Sequence, residues 1–280
     1  LTSIEAAAEL AREAGVPPAA VAMAGLKDRQ GITIQHMSIH RGPVVSLRRG
    51  DLQIETVGRL PEEVSSEKSS GNAFELVLRG LEGPELAALR TGLSDVRRDG
   101  LINYFDDQRF GNLRHGQGWI ALDLIRGETE RALKELLAAP SRADDQRTAA
   151  FKNGLRRAWG DWKACRELAG RGGAHHSVFE HLKKAPDDFA GAFARVATRL
   201  RLIHLYAFQS HLWNRAVAAL VREMTPIEER IVLQGQEGPL VFSAGPLELP
   251  PTFRLPGARL ADVNERERAL LADALAALRL

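Results

Sequence analysis

Ala24-Gly25-Leu26-Lys27-Asp28-Arg29-Gln30-Gly31 sets one carboxylate between two cations and brackets the trio with glycines. Cations at Lys27 and Arg29 favour an ionised Asp28, and Gly25 and Gly31 allow turns that bring a side chain close to a ligand. The same eight residues also suit an ordinary solvated turn, and charged turns outnumber perturbed carboxylates. The flanking sequence is needed to decide between the two.

Upstream, Thr2 and Glu5 have the spacing of a capping box, so a helix should run to about Ala14 and stop at Gly15, with Pro17-Pro18 opening a second turn. Downstream, Ile32–Ile39, Leu52–Val57 and Phe74–Leu78 are rich in β-branched and aromatic residues and are predicted strands, with polar, serine-rich Pro61–Gly71 between the last two. Pro84–Arg98 places Leu86, Leu89, Leu93 and Val96 on one helical stripe that Gly100 ends. From Trp119 the period becomes 3.6, predicting helices at Ile120–Ala139, Arg142–Leu168 and Asp188–Arg222. Short strands follow at Ile231–Gln234 and Pro239–Phe242, and a last helix at Val263–Leu280. The fold class is α+β, with one mixed lobe and one mainly helical lobe.

The chain has 280 residues, of which 44% are hydrophobic and 26% charged, enough for one large or two modest domains. It holds no apolar run near the roughly 20 residues of a membrane-spanning helix. A single cysteine, Cys165, cannot form an internal disulfide, and no secretory signal opens the chain, so a reducing cytosol is expected. The formal charge of +2 permits a polyanionic partner without requiring one.

Two other segments carry mixed chemistry. Asn103-Tyr104-Phe105-Asp106-Asp107-Gln108-Arg109-Phe110-Gly111 sets aromatics beside amides, acids and a guanidinium, which suits base stacking and phosphate binding, or equally a junction whose rings fill a core. Lys152, Arg156, Arg157, Lys163, Arg166 and Arg171, with Trp159 and Trp162 interleaved, suit an RNA surface or a solvated helix face over two packed tryptophans. Arg195, Arg199, Arg201 and His204 give a weaker version of that signal. His36 and His40 would share a strand face but have no third ligand at a metal-site spacing, and His175-His176 sits in a glycine-rich turn, so no metal is expected. Cys165 has no identifiable partner histidine. Walker, dinucleotide-binding and nucleophile-elbow motifs are absent.

Taken together and in order, these segments resemble the TruD family of transfer RNA pseudouridine synthases. The resemblance rests on Ala24–Gly31 with Thr33 and Gln35, on Gly71-Asn72-Ala73-Phe74 running into Leu76-Val77-Leu78-Arg79, and on Asn103-Tyr104-Phe105 with Gln108–Gly111. Phe208-Gln209-Ser210 with Trp213-Asn214, and Leu255-Pro256-Gly257, look like the later motifs. The resemblance implies a pseudouridine-synthase-type catalytic lobe with a mixed or antiparallel sheet, represented by residues 1–102. It further implies an inserted, mainly helical TRUD domain over 103–262 and a helix at 263–280 leading back toward the catalytic domain. Asp28 would be the catalytic aspartate, acting at C1′ or C2′ of the target ribose. Asn72, Phe74, Lys27 and Arg29 would bind the substrate, with Phe74 stacking on a flipped uridine and Arg109 as an RNA contact. The implied reaction is isomerisation of uridine to pseudouridine in tRNA, at uridine 13 in bacterial members, with no cofactor, metal or membrane.

Strands that family members carry before Thr2, and a closing Leu-Pro-x-Gly strand, are not found here. Leu1 therefore resembles a cut edge, and an incomplete gene product is expected. Two rival readings remain at this level: a truncated relative that holds RNA without modifying it, and an α+β enzyme that uses Asp28 on a small molecule.

Overall fold

The computed structural model describes residues 1–28, 30–110, 118–141, 144–173, 175–257 and 263–279. The chain is α+β and divides into two compact units, Leu1–Leu81 and Glu82–Leu280.

In the first unit, helix α1 (Ser3–Ala14) begins at the predicted capping box: the Thr2 hydroxyl accepts the Glu5 N–H at 3.2 Å, and the Glu5 carboxylate accepts the Thr2 N–H at 2.7 Å. Gly15, at φ +67°, ends it in the left-handed conformation that glycine adopts at little cost. Ala7, Leu10 and Ala11 of α1 pack on Val21 and Val45 to form this unit's core. Strand β1 (Val21–Met23) pairs antiparallel with β2 (Met37–Ile39), Val21 opposite Ile39 and Met23 opposite Met37. Strand β3 (Ser46–Arg49) pairs antiparallel with β4 (Leu52–Glu55). Pro61–Gly71 contains a single 3₁₀ turn, Ser66–Lys68, and the Val64 N–H ties the stretch to the Ser38 hydroxyl at 2.9 Å.

Three strand expectations need correction. Of Ile32–Ile39 only 37–39 is a strand, Leu52–Val57 ends at Glu55, and Phe74–Leu78 is not a strand. Ile32, Ile34, Phe74 and Leu76 are exposed. β-Branched and aromatic residues favour a strand by packing on a neighbouring one, and among the described residues these stretches have no ladder partner. His36 and His40 consequently flank β2 instead of sharing its face.

The second unit opens with α2 (Gly83–Asp99), close to its predicted span, with its leucine stripe partly exposed. Helix α3 (Asp107–Phe110) follows. The three long predicted helices are each divided. Gly127, at φ +78°, separates α4 (Ile120–Ile125) from α5 (Thr129–Ala138). Gly160, at φ +100°, separates α6 (Gln146–Ala158) from α7 (Trp162–Ala169), whose first turn is capped by Asp161. The turn 170–173 precedes a helix that the sequence reading missed, α8 (His176–Lys184). Helix α9 (Phe189–Ala194) stops before α10 (Thr198–Met224), and the Arg201 guanidinium donates to the Val196 carbonyl at 3.0 Å across that break. Antiparallel strands β5 (Arg230–Gly235) and β6 (Gly238–Ser243) and helix α11 (Glu265–Ala276) complete the order.

Leu133, Leu155, Phe179 and Leu182 form one buried core with Trp162 and Cys165. A second joins Phe110, Trp119, Phe208 and Leu212, and α10 meets α11 through Leu220, Leu270 and Leu271. Along α10, Asn214 accepts the Phe105 N–H at 3.0 Å and donates to the Phe105 carbonyl at 2.7 Å. Trp213 lies edge-on to Tyr104 and Phe105 and donates to the Phe253 carbonyl, while Gln209 donates to the Pro256 carbonyl. Tyr104 donates to the Val241 carbonyl, and burial pushes its phenol up to about 12.

His211 is buried against Trp119, ring centroids 4.4 Å apart, and burial together with nearby Arg215 lowers it to about 4. Between pH 6.5 and 4 the unfolded chain therefore binds a proton here that the folded chain refuses, and stability falls as pH drops through that window. By pH 5 the loss should reach about 2 kcal/mol relative to pH 7. Denaturant unfolding at the two pH values should show a smaller loss for His211→Phe; equal losses would remove His211 as the cause.

Candidate active site

Strands β1 and β2 flank the loop 24–36, which carries Asp28 and whose described residues lie in no helix or strand. Loops between strands are common carriers of binding groups. The loop is fixed near its start because the Lys27 backbone N–H donates to the Ser3 hydroxyl at 2.8 Å, and Ser3 is itself buried in the first turn of α1. The Lys27 ammonium then donates to the Asn72 side-chain oxygen, joining positions 45 residues apart. Two residues expected at the site from separate motifs thus meet, and Lys27 is turned toward Asn72 and not toward Asp28.

Asp28 is exposed and, among the described residues, has no hydrogen-bond or ion-pair partner. Arg29 lies outside the described residues. Phe74 follows Asn72 by two positions and is 78% exposed, a ring with an open face in a segment that is exposed throughout. This combination can take a planar polar ligand: an amide for its edge, a ring for its face and a carboxylate for reaction or hydrogen bonding.

The remaining predicted groups belong to the second unit. Arg109 is exposed on α3 with its guanidinium 5.0 Å from the Phe105 ring centroid. The basic stretch 152–171 is only in part committed to packing. Lys152 is buried in an ion pair with Asp144, Trp162 lies in the core, Trp159 donates to Glu130 at 3.0 Å, and Arg166 pairs with Glu180 at 2.8 Å. Arg157, Lys163 and Arg171 remain exposed. His204 is buried in α10, and His175 stacks on Phe151, with burial lowering its pKa. Among the described residues no helix is long and apolar enough to cross a membrane, and no group of three or more histidine, cysteine or acidic side chains could hold a metal ion. Ser3 is the site residue that sequence reasoning missed. Its helix-start position was legible, but its contact with residue 27 depends on tertiary packing.

The first unit thus carries a carboxylate at Asp28, an amide at Asn72 and an open ring at Phe74, and among the described residues the contact that joins its motifs is Lys27 to Asn72. The family model of tRNA pseudouridine synthase D (TruD) matches residues 1–242. The chain is 29% identical over 246 residues to "Probable tRNA pseudouridine synthase D 1" of Methanococcus maripaludis, covering 86% of this chain and 63% of that protein. It is 29% identical over 227 residues to tRNA pseudouridine synthase D of Aquifex aeolicus, covering 79% and 57%. A crystal structure of a Methanosarcina mazei protein assigned as tRNA pseudouridine synthase D (TruD) matches with a TM-score of 0.58 at 21% identity, covering 97% of this chain and 63% of that one. The chain spans about three fifths of the length of these relatives. It belongs to the TruD family.

Proposed function

We propose that this chain acts in the isomerisation of uridine to pseudouridine in transfer RNA, at uridine 13, in the cytoplasm and without a cofactor. The observation that carries the reading is the Lys27–Asn72 hydrogen bond, which gathers two of the family-matching segments beside an exposed Asp28. In the proposed reaction the N1–C1′ bond of the target uridine breaks, the base turns, and a C5–C1′ bond forms while the C5 hydrogen leaves to solvent as a proton and N1 takes one up. Asp28 acts on the ribose, by attack at C1′ or by removing the C2′ proton. Asn72 hydrogen-bonds the base edge under the control of Lys27, and Phe74 stacks on the base face. Arg29 and Arg109 contact the RNA. Residues 1–102 serve as the catalytic part, 103–262 as the inserted domain and 263–280 as the returning helix. The compact boundary at Leu81 falls before α2.

Tritium release from tRNA labelled at C5 of uridine tests the reading directly. Release accompanied by pseudouridine at position 13 is expected, and a chain that binds tRNA but releases no tritium would overturn the enzymatic assignment. Phe74→Ala should reduce turnover by the equivalent of about 1 to 3 kcal/mol, one lost base stack. Because the ring is exposed, its removal should leave the unfolding transition in place. Unaltered turnover would take Phe74 out of the site.

A further inference from the structure

Within the second unit, α10, α11 and the turn between β5 and β6 enclose a cavity of about 400 Å³, in the size range of small-ligand sites. Arg215, Ala218, Ala219 and Arg222 line it from α10 at i, i+3, i+4 and i+7, so they share one face of the helix. The two alanines leave the groove open between the two cations. At 1.5 Å per residue the arginines stand about 10 Å apart along the helix axis. Among the described residues neither guanidinium has a hydrogen-bond or ion-pair partner. Phe110, Leu240 and Leu270 supply apolar walls. Three carboxylates also line it: Asp107 accepts the Gln236 N–H at 2.9 Å and so holds the β5–β6 turn, Glu237 lies half-buried in that turn, and Asp273 is exposed at the rim.

We propose that this cavity seats one unpaired nucleotide of a single-stranded RNA segment, with Arg215 and Arg222 on the phosphates to either side and the base against the apolar walls. The inference rests on the reading of the chain as one that acts on RNA. Two separated cations with an apolar recess between them match the alternation of phosphate and base along a single strand. Asp273 makes the rim a poor track for a bare polyanion and offers an acceptor to the N–H groups of a base edge. No part of this arrangement involves Asp28, Asn72 or Phe74.

The test is binding of a labelled single-stranded RNA oligonucleotide of mixed sequence to the full chain, followed by fluorescence anisotropy across a salt series. Arg215→Gln and Arg222→Gln should each weaken binding severalfold and lower the slope of log affinity against log salt by about 0.7. Ala219→Leu, which fills the groove without altering charge, should weaken binding with the slope intact. Arg147→Gln, at an exposed position on α6 that does not line the cavity, should leave both unchanged. An unaltered slope in a folded Arg215→Gln/Arg222→Gln double variant would overturn the phosphate contacts. Undiminished binding by Ala219→Leu would overturn the base seat, and an equal slope change in Arg147→Gln would reduce the site to diffuse attraction. A parent chain that binds no RNA at low salt would instead sink the reading on which the proposal rests.

Discussion

Asp28→Asn is expected to reduce tritium release from C5-labelled tRNA by more than about a thousandfold, the scale seen when a group that acts on the reacting atoms is removed. Asparagine keeps the shape of the side chain and loses its charge and basicity. Asp28 is exposed and unpartnered among the described residues, so the variant should unfold at the same denaturant concentration as the parent and bind tRNA comparably. An active Asp28→Asn would end the catalytic assignment. A variant that is inactive because it is unfolded would show that residue 28 supports the loop 24–36, contrary to its exposure.

The second large effect belongs to stability. Asn214 meets both backbone groups of Phe105, so Asn214→Ala leaves an N–H and a carbonyl without their partners in a half-buried segment. The expected loss is about 4 kcal/mol, measured by denaturant unfolding with tryptophan fluorescence as the readout, since Trp213 is adjacent. Asn214→Asp keeps the acceptor for the Phe105 N–H and loses the donor to its carbonyl, so it should fall between alanine and the parent. If alanine and parent unfold together, the two hydrogen bonds contribute nothing net.

Local signals carried much of the fold. Thr2, Glu5 and Gly15 define α1 because capping is a matter of a few neighbouring residues, and the short apolar runs at Ile231–Leu233 and Leu240–Phe242 pair with each other in a hairpin. Helical period alone could not show where long helices divide, because the apolar stripe continues on both sides of Gly127 and Gly160 while the left-handed backbone there interrupts the hydrogen-bond ladder. Strand prediction failed at Phe74–Leu78 for the opposite reason: a strand is completed by a partner that no local pattern supplies.

The candidate site divides in the same way. Lys27, Asp28, Asn72 and Phe74 stood out by their motifs, whereas the Lys27–Asn72 bond and the hold of Ser3 on the loop are products of tertiary folding. Trp159 and Trp162 were compatible with RNA or core until their packing was known. Burial decides for structure at Trp162, and the hydrogen bond to Glu130 does so at Trp159.

Cys165 lies fully buried where α6, α7 and α8 meet; it donates to the Ala158 carbonyl at 3.3 Å, and burial with nearby Asp161 pushes its thiol up to about 11. Since thiolate, not thiol, reacts with alkylating reagents, the folded protein keeps its one cysteine both uncharged and out of reach. The rate at which such a reagent labels the native chain then reports how often this core opens, and places a local clock in the helical unit without any engineered probe.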